Sequence, residues 1–179
     1  MRVIAGKYGG RPIHTPKGLP VRPTTDRTRE ALFNILNQYL DWEETDVLEL
    51  FCGTAAVSLE CMSRGAKSAK CVDQDRRCVL AAKKLFQEFG EQHVKVHKMK
   101  AEAFVKKCEE KFELIFMDPP YAMPKQEDLI HLIFERNLLK PESLLIVEHA
   151  SQLSFDYLAG FDLKKVYGSS TLSFFRIPG

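Results

Sequence analysis

Apolar runs and helical repeats alternate along the chain from Asp46 onward. Five short apolar runs, which predict buried strands, occur at 47–51, 69–72, 94–96, 114–117 and 144–147. Between them, apolar residues recur at the spacing of amphipathic helices. Strands that alternate with helices form a parallel sheet with right-handed crossovers and helices on both faces. This part of the chain is therefore predicted to be an α/β unit with a parallel core.

Two further strands are predicted near the carboxyl end, at 163–167 and 172–177, on either side of Gly168-Ser169-Ser170. A connection this short cannot cross the sheet, so the two strands must form an antiparallel hairpin. The predicted fold is a mostly parallel, seven-stranded sheet closed by a C-terminal antiparallel hairpin. That is the sheet of the Rossmann-like methyltransferases.

The first 21 residues predict a small N-terminal β appendage. Arg2-Val3-Ile4-Ala5 has the composition of a short strand, and a turn-rich stretch of glycines and prolines follows it. The segment has too few apolar residues for a core of its own. We therefore expect a β arm at 1–21 that lies against one globular unit at 22–179. Thr25 or Asp26 is the expected cap of the next helix.

The composition suits one globular domain, because 45% of the 179 residues are hydrophobic and 28% are charged. No apolar run approaches the ~20 residues that cross a bilayer, and the amino terminus lacks the apolar core of a signal peptide. We expect a cytoplasmic protein without a membrane partner. The five cysteines are scattered and form no C-x-x-C pair, so we expect buried thiols and no metal site.

The positive charge is concentrated at the amino end, although the whole chain carries only +2. Residues 1–29 contain seven Lys or Arg residues and a single acidic residue. Such an asymmetry predicts an arm that binds a polyanion, for which nucleic acid is the leading candidate. The alternative is a basic edge that is merely solvated.

The tetrapeptide Asp118-Pro119-Pro120-Tyr121 follows the predicted strand 114–117 directly. Ligands bind at the carboxyl end of the strands in an open parallel sheet. The prolines donate no backbone hydrogen bond, which leaves their carbonyls free to accept from a ligand. A flat base could donate its exocyclic N–H to Asp118 and a proline carbonyl while its face stacks on Tyr121. The alternative is an ordinary turn at the end of a strand.

A second set of candidates lies after the first three strands. In the turn from Glu49 through Phe51 to Ala55, Gly53 permits close approach of the backbone to a ligand. Asp73 follows after about 20 residues, the spacing at which an acid meets the ribose hydroxyls of an adenosine-type ligand. Ala101 and Glu102, after the third strand, should border the adenine. The alternatives are a tight turn for Gly53 and a helix cap for Asp73.

Four segments together resemble the RsmD family. They are RPTTDRTREALFNIL at 22–36, LELFCGT at 48–54, SRGA at 63–66 and Asp-Pro-Pro-Tyr at 118–121. Members of that family methylate a guanine at N2 in bacterial small-subunit (16S) ribosomal RNA, using S-adenosylmethionine. The resemblance covers nearly the whole chain. Asp-Pro-Pro-Tyr is shared with adenine-N6 methyltransferases, whereas the segment 22–36 is more specific to the family.

The resemblance implies a role for each candidate residue. Asp118, Pro119, Pro120 and Tyr121 would hold the target base, and Thr24 and Thr25 would lie near the methionine end of the cofactor. The remaining cofactor-binding residues would be Glu49, Phe51, Gly53, Asp73, Ala101 and Glu102. The ribosomal RNA would be bound within the small subunit or its assembly intermediate. The cations expected to bind it are Arg2, Lys7, Arg11 and Arg22.

The chain departs from the family at Ala55 and Ser58, where further glycines are usual in the first turn. Glu148 also lies near the expected site, with a salt bridge as the alternative role.

Two other functions stay open: an adenine-N6 methyltransferase on DNA or RNA, and a catalytically silent RNA-binding or assembly protein. No separate target-recognition domain is evident, which disfavours the first. We expect the protein to be a monomer.

Overall fold

A computed structural model describes residues 1–22 and 24–177, and contains the predicted seven-stranded sheet. The strands are β1 Asp46–Leu50, β2 Ser68–Asp73, β3 Val94–Lys98, β4 Phe112–Met117, β5 Leu139–Ala150, β6 Phe161–Tyr167 and β7 Ser170–Phe175. The helices are α1 Asp26–Leu36, α2 Ala56–Ser63, α3 Arg76–Phe89, α4 Ala101–Lys107 and α5 Gln126–Glu135, with a 3-10 turn at Trp42–Glu44.

The strand order is β3-β2-β1-β4-β5-β7-β6. The first five strands are parallel, and β7 pairs antiparallel with both β5 and β6. The predicted topology, including the C-terminal hairpin, is confirmed. Strand order reverses between β1 and β4, and this is the point where ligands bind in sheets of this kind.

Both faces of the sheet are covered by helices because both carry apolar side chains. Val47, Leu114 and Ile146 belong to a buried cluster with residues of α1 and α2. Ile115 and Leu145 point the other way, into a cluster with residues of α4 and α5. Alternation along each strand thus places two hydrophobic cores on opposite sides of one sheet.

Short polar side chains and a glycine define the helix ends near the site. Thr25 caps α1 by accepting from the N–H of Thr28, and Asp75 caps α3 by accepting from the N–H of Arg77. Gly90 ends α3 in the left-handed region at φ 72°. The cap at Thr25 agrees with the prediction, and the two N-terminal caps fix where each helix starts relative to the carboxyl edge of the sheet.

The arm at 1–21 contains no strand, so the expectation of one at Arg2–Ala5 is wrong. Within the described residues, the arm makes one isolated bridge, between Arg2 and Pro12. The N–H groups of Ile4 and Ala5 donate instead to the carboxylate of Glu60 in α2, at 2.8 and 3.0 Å. Backbone hydrogen bonds join Met1 and Val3 to residues 10–13, but beyond Val3 a side chain takes the next donors, so the pairing does not extend into a strand.

The arm is nevertheless held closely against α2 and the end of α3. The N–H of Lys7 donates to the carbonyl of Ser63, and the Lys7 ammonium pairs with Glu91 at 2.6 Å. The guanidinium of Arg11 stacks on Phe89, 4.0 Å from the ring centroid. These contacts lie toward the amino edge of the sheet, because α2 and α3 run antiparallel to the strands and end there.

All five cysteines are buried, and none forms a disulfide within the described chain. No helix in the described residues has the length and apolarity to span a membrane.

Candidate active site

A cavity of about 680 Å³ opens at the carboxyl ends of β1, β2, β4 and β5. Most of the candidates from the sequence lie in its wall. These are Arg22, Thr24, Glu49, Phe51, Gly53, Asp73, Asp118, Pro119, Pro120 and Tyr121. Residues far apart in the sequence thus meet, because parallel strands end at the same edge.

Strand register places Asp118 beside Glu148. Met117 in β4 pairs with Val147 in β5, so the next residue of each chain segment forms the following row. Glu49 in β1 pairs with Phe116, two residues before Asp118, and therefore shares its face of the sheet. Three carboxyl groups consequently lie on one face at one end of the sheet, all in the cavity wall.

The carboxyl group of Asp118 has a pKa well above its usual range. Burial is the main cause, and the negative charges of Glu148 and Glu49 add to it, while the Arg22 guanidinium opposes them. A carboxyl in this setting is poorly solvated and gains from hydrogen-bond donors supplied by a ligand. A hydrogen bond donated by a ligand to Asp118 would therefore offset part of the cost of burying this carboxyl group.

Glu148 is anchored by two hydroxyl groups from different parts of the chain. Thr24 donates to Oε2 at 2.8 Å and Ser170 donates to Oε1 at 2.9 Å. Only 6% of the residue is exposed. The salt bridge considered from the sequence is not formed with any described residue. The carboxylate instead joins the segment before α1 to the start of β7.

The Pro-Pro-Tyr segment presents one free carbonyl and one exposed ring. The Pro120 carbonyl accepts from the N–H of Met123 at 2.9 Å, so it is partly used by the turn itself. The Pro119 carbonyl has no backbone partner among the described residues. Tyr121 is 39% exposed, and the Arg22 guanidinium lies 4.7 Å from its ring centroid. Pro119 is therefore the better acceptor for a ligand.

The turn from β1 to α2 has an unusual backbone. Phe51, Gly53 and Ala55 all have positive φ, at 57°, 53° and 61°. A Cβ atom at Gly53 would lie 3.0 Å from Cγ1 of Val21, which packs over the turn. Both the positive φ at position 53 and the close approach of Val21 therefore favour glycine there.

Glu49 is buried below this turn and holds the start of α2. Ser58 donates to its carboxylate from the backbone N–H, at 2.9 Å, and also from its hydroxyl group. Burial raises the pKa of Glu49 to about 7, with a smaller contribution from the charge of Asp73. Ser58, where the family usually has glycine, therefore contributes two hydrogen bonds to an acid in the cavity wall.

Asp73 connects the first two turns at the cavity rim. Its Oδ2 accepts from the N–H of Gly53 at 2.9 Å, and its Oδ1 accepts from the N–H of Asp75 at 2.8 Å. A carboxylate has about four lone-pair positions, so both oxygens can still accept from hydroxyl groups in the cavity. The geometry suits recognition of a diol as well as organisation of the turns.

Several predicted site residues do not line the cavity. Thr25 caps α1, while Ala101 and Glu102 form the first turn of α4, with Ala101 in the hydrophobic core. Lys7 and Arg11 lie near the end of α3. Arg2 lies on the arm and is exposed. Of the four cations predicted to bind RNA, Arg22 lines the cavity.

Val21 and Ser170 are site residues that were not predicted from the sequence. Val21 is an isolated apolar residue in a turn-rich segment, and its contact with Gly53 depends on the path of that segment. Ser170 reaches Glu148 because β7 pairs antiparallel with β5. A strand prediction does not supply this register, although the glycine-serine turn marked the hairpin.

The cavity wall is chemically suited to a cationic ligand that bears hydroxyl groups. Glu49, Asp73, Asp118 and Glu148 contribute carboxyl groups, and Phe51, Val21 and Pro120 contribute apolar surface. The sulfonium and ribose of S-adenosylmethionine have these two properties. The residues present therefore fit that cofactor.

Comparison with known proteins gives concordant matches over the whole chain. The model of a family described as Conserved hypothetical protein 95 matches residues 1–176. YlbH of Bacillus subtilis, provisionally named an rRNA methyltransferase, is 31% identical with full coverage of both chains. Ribosomal RNA small subunit methyltransferase D of Escherichia coli K12 is 31% identical over 83% of this chain and 74% of that protein.

Solved structures of similar proteins also match this chain over nearly its whole length. The Escherichia coli protein yhhF, provisionally called a methyltransferase, superposes with a TM-score of 0.88 at 29% identity, covering 99% of this chain and 98% of that one. A hypothetical protein of Thermus thermophilus gives 0.86 at 28% identity, with 99% of both chains covered. The chain therefore belongs to the RsmD family, the family of ribosomal RNA small subunit methyltransferase D.

Proposed function

We propose that this protein transfers a methyl group from S-adenosylmethionine to the exocyclic N2 of a guanine in small-subunit ribosomal RNA. The observation that carries the proposal is the position of Asp-Pro-Pro-Tyr at the cavity, where Asp118 and the Pro119 carbonyl offer adjacent acceptors. The names of the relatives support ribosomal RNA as the substrate.

S-adenosylmethionine, when bound, supplies a methyl group that is already activated by its sulfonium. The chain's task is then to hold an amine that is a poor nucleophile, because its lone pair is delocalised into the base. Asp118 and the Pro119 carbonyl would accept the two amine hydrogens and orient the nitrogen. Positioning of this kind can contribute up to ~7–11 kcal/mol to lowering the barrier.

The proton leaves N2 after the methyl group has been added, because the product ammonium is strongly acidic. Asp118 or water can take it, so no strong base is needed beforehand. Tyr121 would stack on the base, which leaves its surroundings at a cost of a few kcal/mol. Since Arg22 already lies on this ring, the base would use the free face or displace the guanidinium.

Cofactor binding is assigned to the turns after β1 and β2. Asp73 would accept from the ribose hydroxyl groups, and Glu49, Phe51, Gly53 and Thr24 would form the wall around the rest of the molecule. Thr25, Ala101 and Glu102 would act indirectly, by fixing the starts of α1 and α4. This division follows from which residues line the cavity.

The RNA is proposed to be recognised within the small subunit or an assembly intermediate, by a monomer acting in the cytoplasm. The arm at 1–21 would contact RNA phosphates through Arg2, Lys7 and Arg11, and Arg22 would contact the nucleotide beside the target.

Labelled methyl transfer tests the proposal. Small subunits from cells lacking the protein, naked RNA and DNA would be incubated with S-adenosylmethionine and wild-type or Asp118→Ala protein, and the nucleosides then analysed. We expect N2-methylguanosine with the wild-type protein alone. N6-methyladenine would favour the adenine enzyme, and bound RNA without transfer would favour a silent binding protein.

A further inference from the structure

We propose that Glu148 determines which base is methylated, by accepting a hydrogen bond from N1–H of guanine while Asp118 and Pro119 hold the N2 amine. This inference rests on the proposed function and adds a role for a residue of the same cavity. It concerns discrimination between bases, which Asp-Pro-Pro-Tyr alone does not provide.

The sheet places Glu148 where it can reach the atom next to the amine. Asp118 and Glu148 follow the paired residues Met117 and Val147. Neighbouring strands lie about 4.8 Å apart, and the two side chains share a face of the sheet. Neighbouring donors on the edge of a base lie closer together than the strands do, so two side chains that start on one face can converge on them. Both residues line the cavity.

The Glu148 carboxylate is held in place and retains acceptor capacity. Thr24 and Ser170 each donate one hydrogen bond, to different oxygens. Each carboxylate oxygen has two lone pairs, so each can accept once more. Both anchors are neutral hydroxyl groups, and the described chain supplies no ion-pair partner. A nearly buried carboxylate that lacks a cation gains more than a solvated one from a further donor.

The donor pattern of guanine suits a pair of carboxyl groups. Its edge presents N1–H beside the N2 amine, so donors would face both Glu148 and Asp118 and relieve the repulsion between them. Adenine presents an unprotonated N1 beside its amine. Its lone pair would face the Glu148 carboxylate, which is unfavourable in a site that excludes water. The pair therefore favours guanine over adenine.

The test uses 2-aminopurine, which keeps the amine at C2 but has a lone pair at N1. Small subunits would be reconstituted with guanosine or 2-aminopurine riboside at the target position. The proteins compared are the wild type, Glu148→Gln and Glu142→Gln, which removes an exposed charge from the same strand. Cofactor binding and melting temperature would be measured for each.

We expect the wild type to prefer guanine by at least about 100-fold in kcat/KM, as expected for a site built around a substrate N–H. Glu148→Gln should lose at least about tenfold on guanine and should narrow or reverse the preference, because its amide can donate to N1 of 2-aminopurine. Glu142→Gln should match the wild type. If Glu148→Gln has a lowered melting temperature, Ser170→Ala serves as the second variant, because it keeps the charge of Glu148. Loss of the hydrogen bond from Ser170 to Glu148 should weaken the preference for guanine.

The inference would be overturned if Glu148→Gln kept the wild-type preference for guanine over 2-aminopurine. An equal loss on both bases with cofactor still bound would also overturn it, since this indicates a role that does not distinguish them. For Ser170→Ala, an unchanged preference would count against it as well. Failure of the proposed function is recognised differently: the wild type itself would form no N2-methylguanosine on the guanine substrate.

Discussion

At the scale of single residues, the site depends on carboxyl groups that the fold has removed from water. Asp118, Glu148 and Glu49 share one face of the sheet, and the pKa of Asp118 is raised by burial and by its two neighbours. Such groups favour ligands that bring hydrogen-bond donors or positive charge. An amine and a sulfonium, the two reacting partners in the proposed reaction, supply both.

Replacing Asp118 by Ala should lower methyl transfer at least about 100-fold, comparable to removing one preorganised polar group from an active site. Cofactor affinity should change only a few-fold, because Asp73 and the first turn are untouched. Single-turnover transfer and calorimetric titration with S-adenosylmethionine would measure the two effects. Loss of both would mean that Asp118 maintains the fold and does not position the amine.

Replacing Glu49 by Gln should alter the dependence of stability on pH. The pKa of Glu49 is about 7 in the folded protein, against 4.5 ordinarily, so the folded state binds more protons between these values. Wild-type stability should therefore fall as pH rises from about 4.5 to 7, by about 3 kcal/mol at most from this group. Denaturant unfolding of the wild type and Glu49→Gln at pH 5 and pH 8, without cofactor, measures this change in stability. Equal changes in the two proteins would contradict the raised pKa of Glu49.

At the scale of elements, the turn between β1 and α2 is the most constrained segment of the site. Its positive φ values at Phe51, Gly53 and Ala55 leave little freedom for substitution. Only one of the three is glycine. At Ala55 the strain is supported by burial, since this residue is fully enclosed, while Phe51 is only partly buried.

Substitutions at Gly53 and at Ala55 should change the stability to different extents. Gly53→Ala should destabilise by at least about 1 kcal/mol and weaken cofactor binding, because the new methyl group meets Val21 and the backbone is left-handed. Ala55→Gly should stay within about 1 kcal/mol of wild type, since relief of strain offsets the lost methyl contacts and the greater freedom of the unfolded chain. Equal destabilisation in urea melts would refute the contrast.

The arm is joined to the body of the protein by Glu60. This buried carboxylate accepts from Ile4 and Ala5 and pairs with Arg64 at 3.0 Å and with Arg29 at 3.9 Å. Glu60→Ala should cost about 3–5 kcal/mol, since it removes the acidic partner of Arg64 and leaves the N–H groups of Ile4 and Ala5 without their acceptor. Glu88→Ala, which removes an exposed i,i+4 pair, is the matched control and should cost under about 1 kcal/mol.

Unfolding in denaturant, with limited proteolysis of the arm, would distinguish the two variants. Similar stabilities for Glu60→Ala and Glu88→Ala would mean that the arm is not held by this carboxylate.

The elements show clearly what a single sequence can and cannot predict. Strand periodicity and caps such as Thr25 are local, so the sheet and the start of α1 were predictable. The strand expected at Arg2–Ala5 was wrong because the pairing stops after Val3, where Glu60, distant in sequence, takes the donors of Ile4 and Ala5. The link between Thr24, Glu148 and Ser170 depends on register across three segments, and no local pattern encodes that.

At the scale of the whole molecule, the basic residues near the amino end occupy separate positions on the surface. Arg22 lies at the cavity, whereas Lys7 and Arg11 follow the arm toward the opposite edge of the sheet. RNA that contacts all of them would extend well beyond the target nucleotide. This arrangement is consistent with recognition of a structured subunit, in which distant phosphates are held in fixed positions.

Salt dependence of RNA binding tests this arrangement. Each lost phosphate contact should reduce the slope of log K against log salt by about 0.7–0.9. Arg22→Ala should remove one such step, and the combined replacement of Arg2, Lys7 and Arg11 by Ala about two to three. Lys84→Ala, an exposed cation on α3, should leave the slope unchanged. A wild-type slope in the triple variant would exclude the arm from the interface.

Methylation of guanine N2 in small-subunit ribosomal RNA can be followed directly by mass spectrometry of that RNA from cells. Deleting the gene should remove one N2-methylguanosine from the small subunit. Wild-type protein should restore it, and Asp118→Ala should not. An unchanged nucleoside profile after deletion, or restoration by Asp118→Ala, would contradict the account.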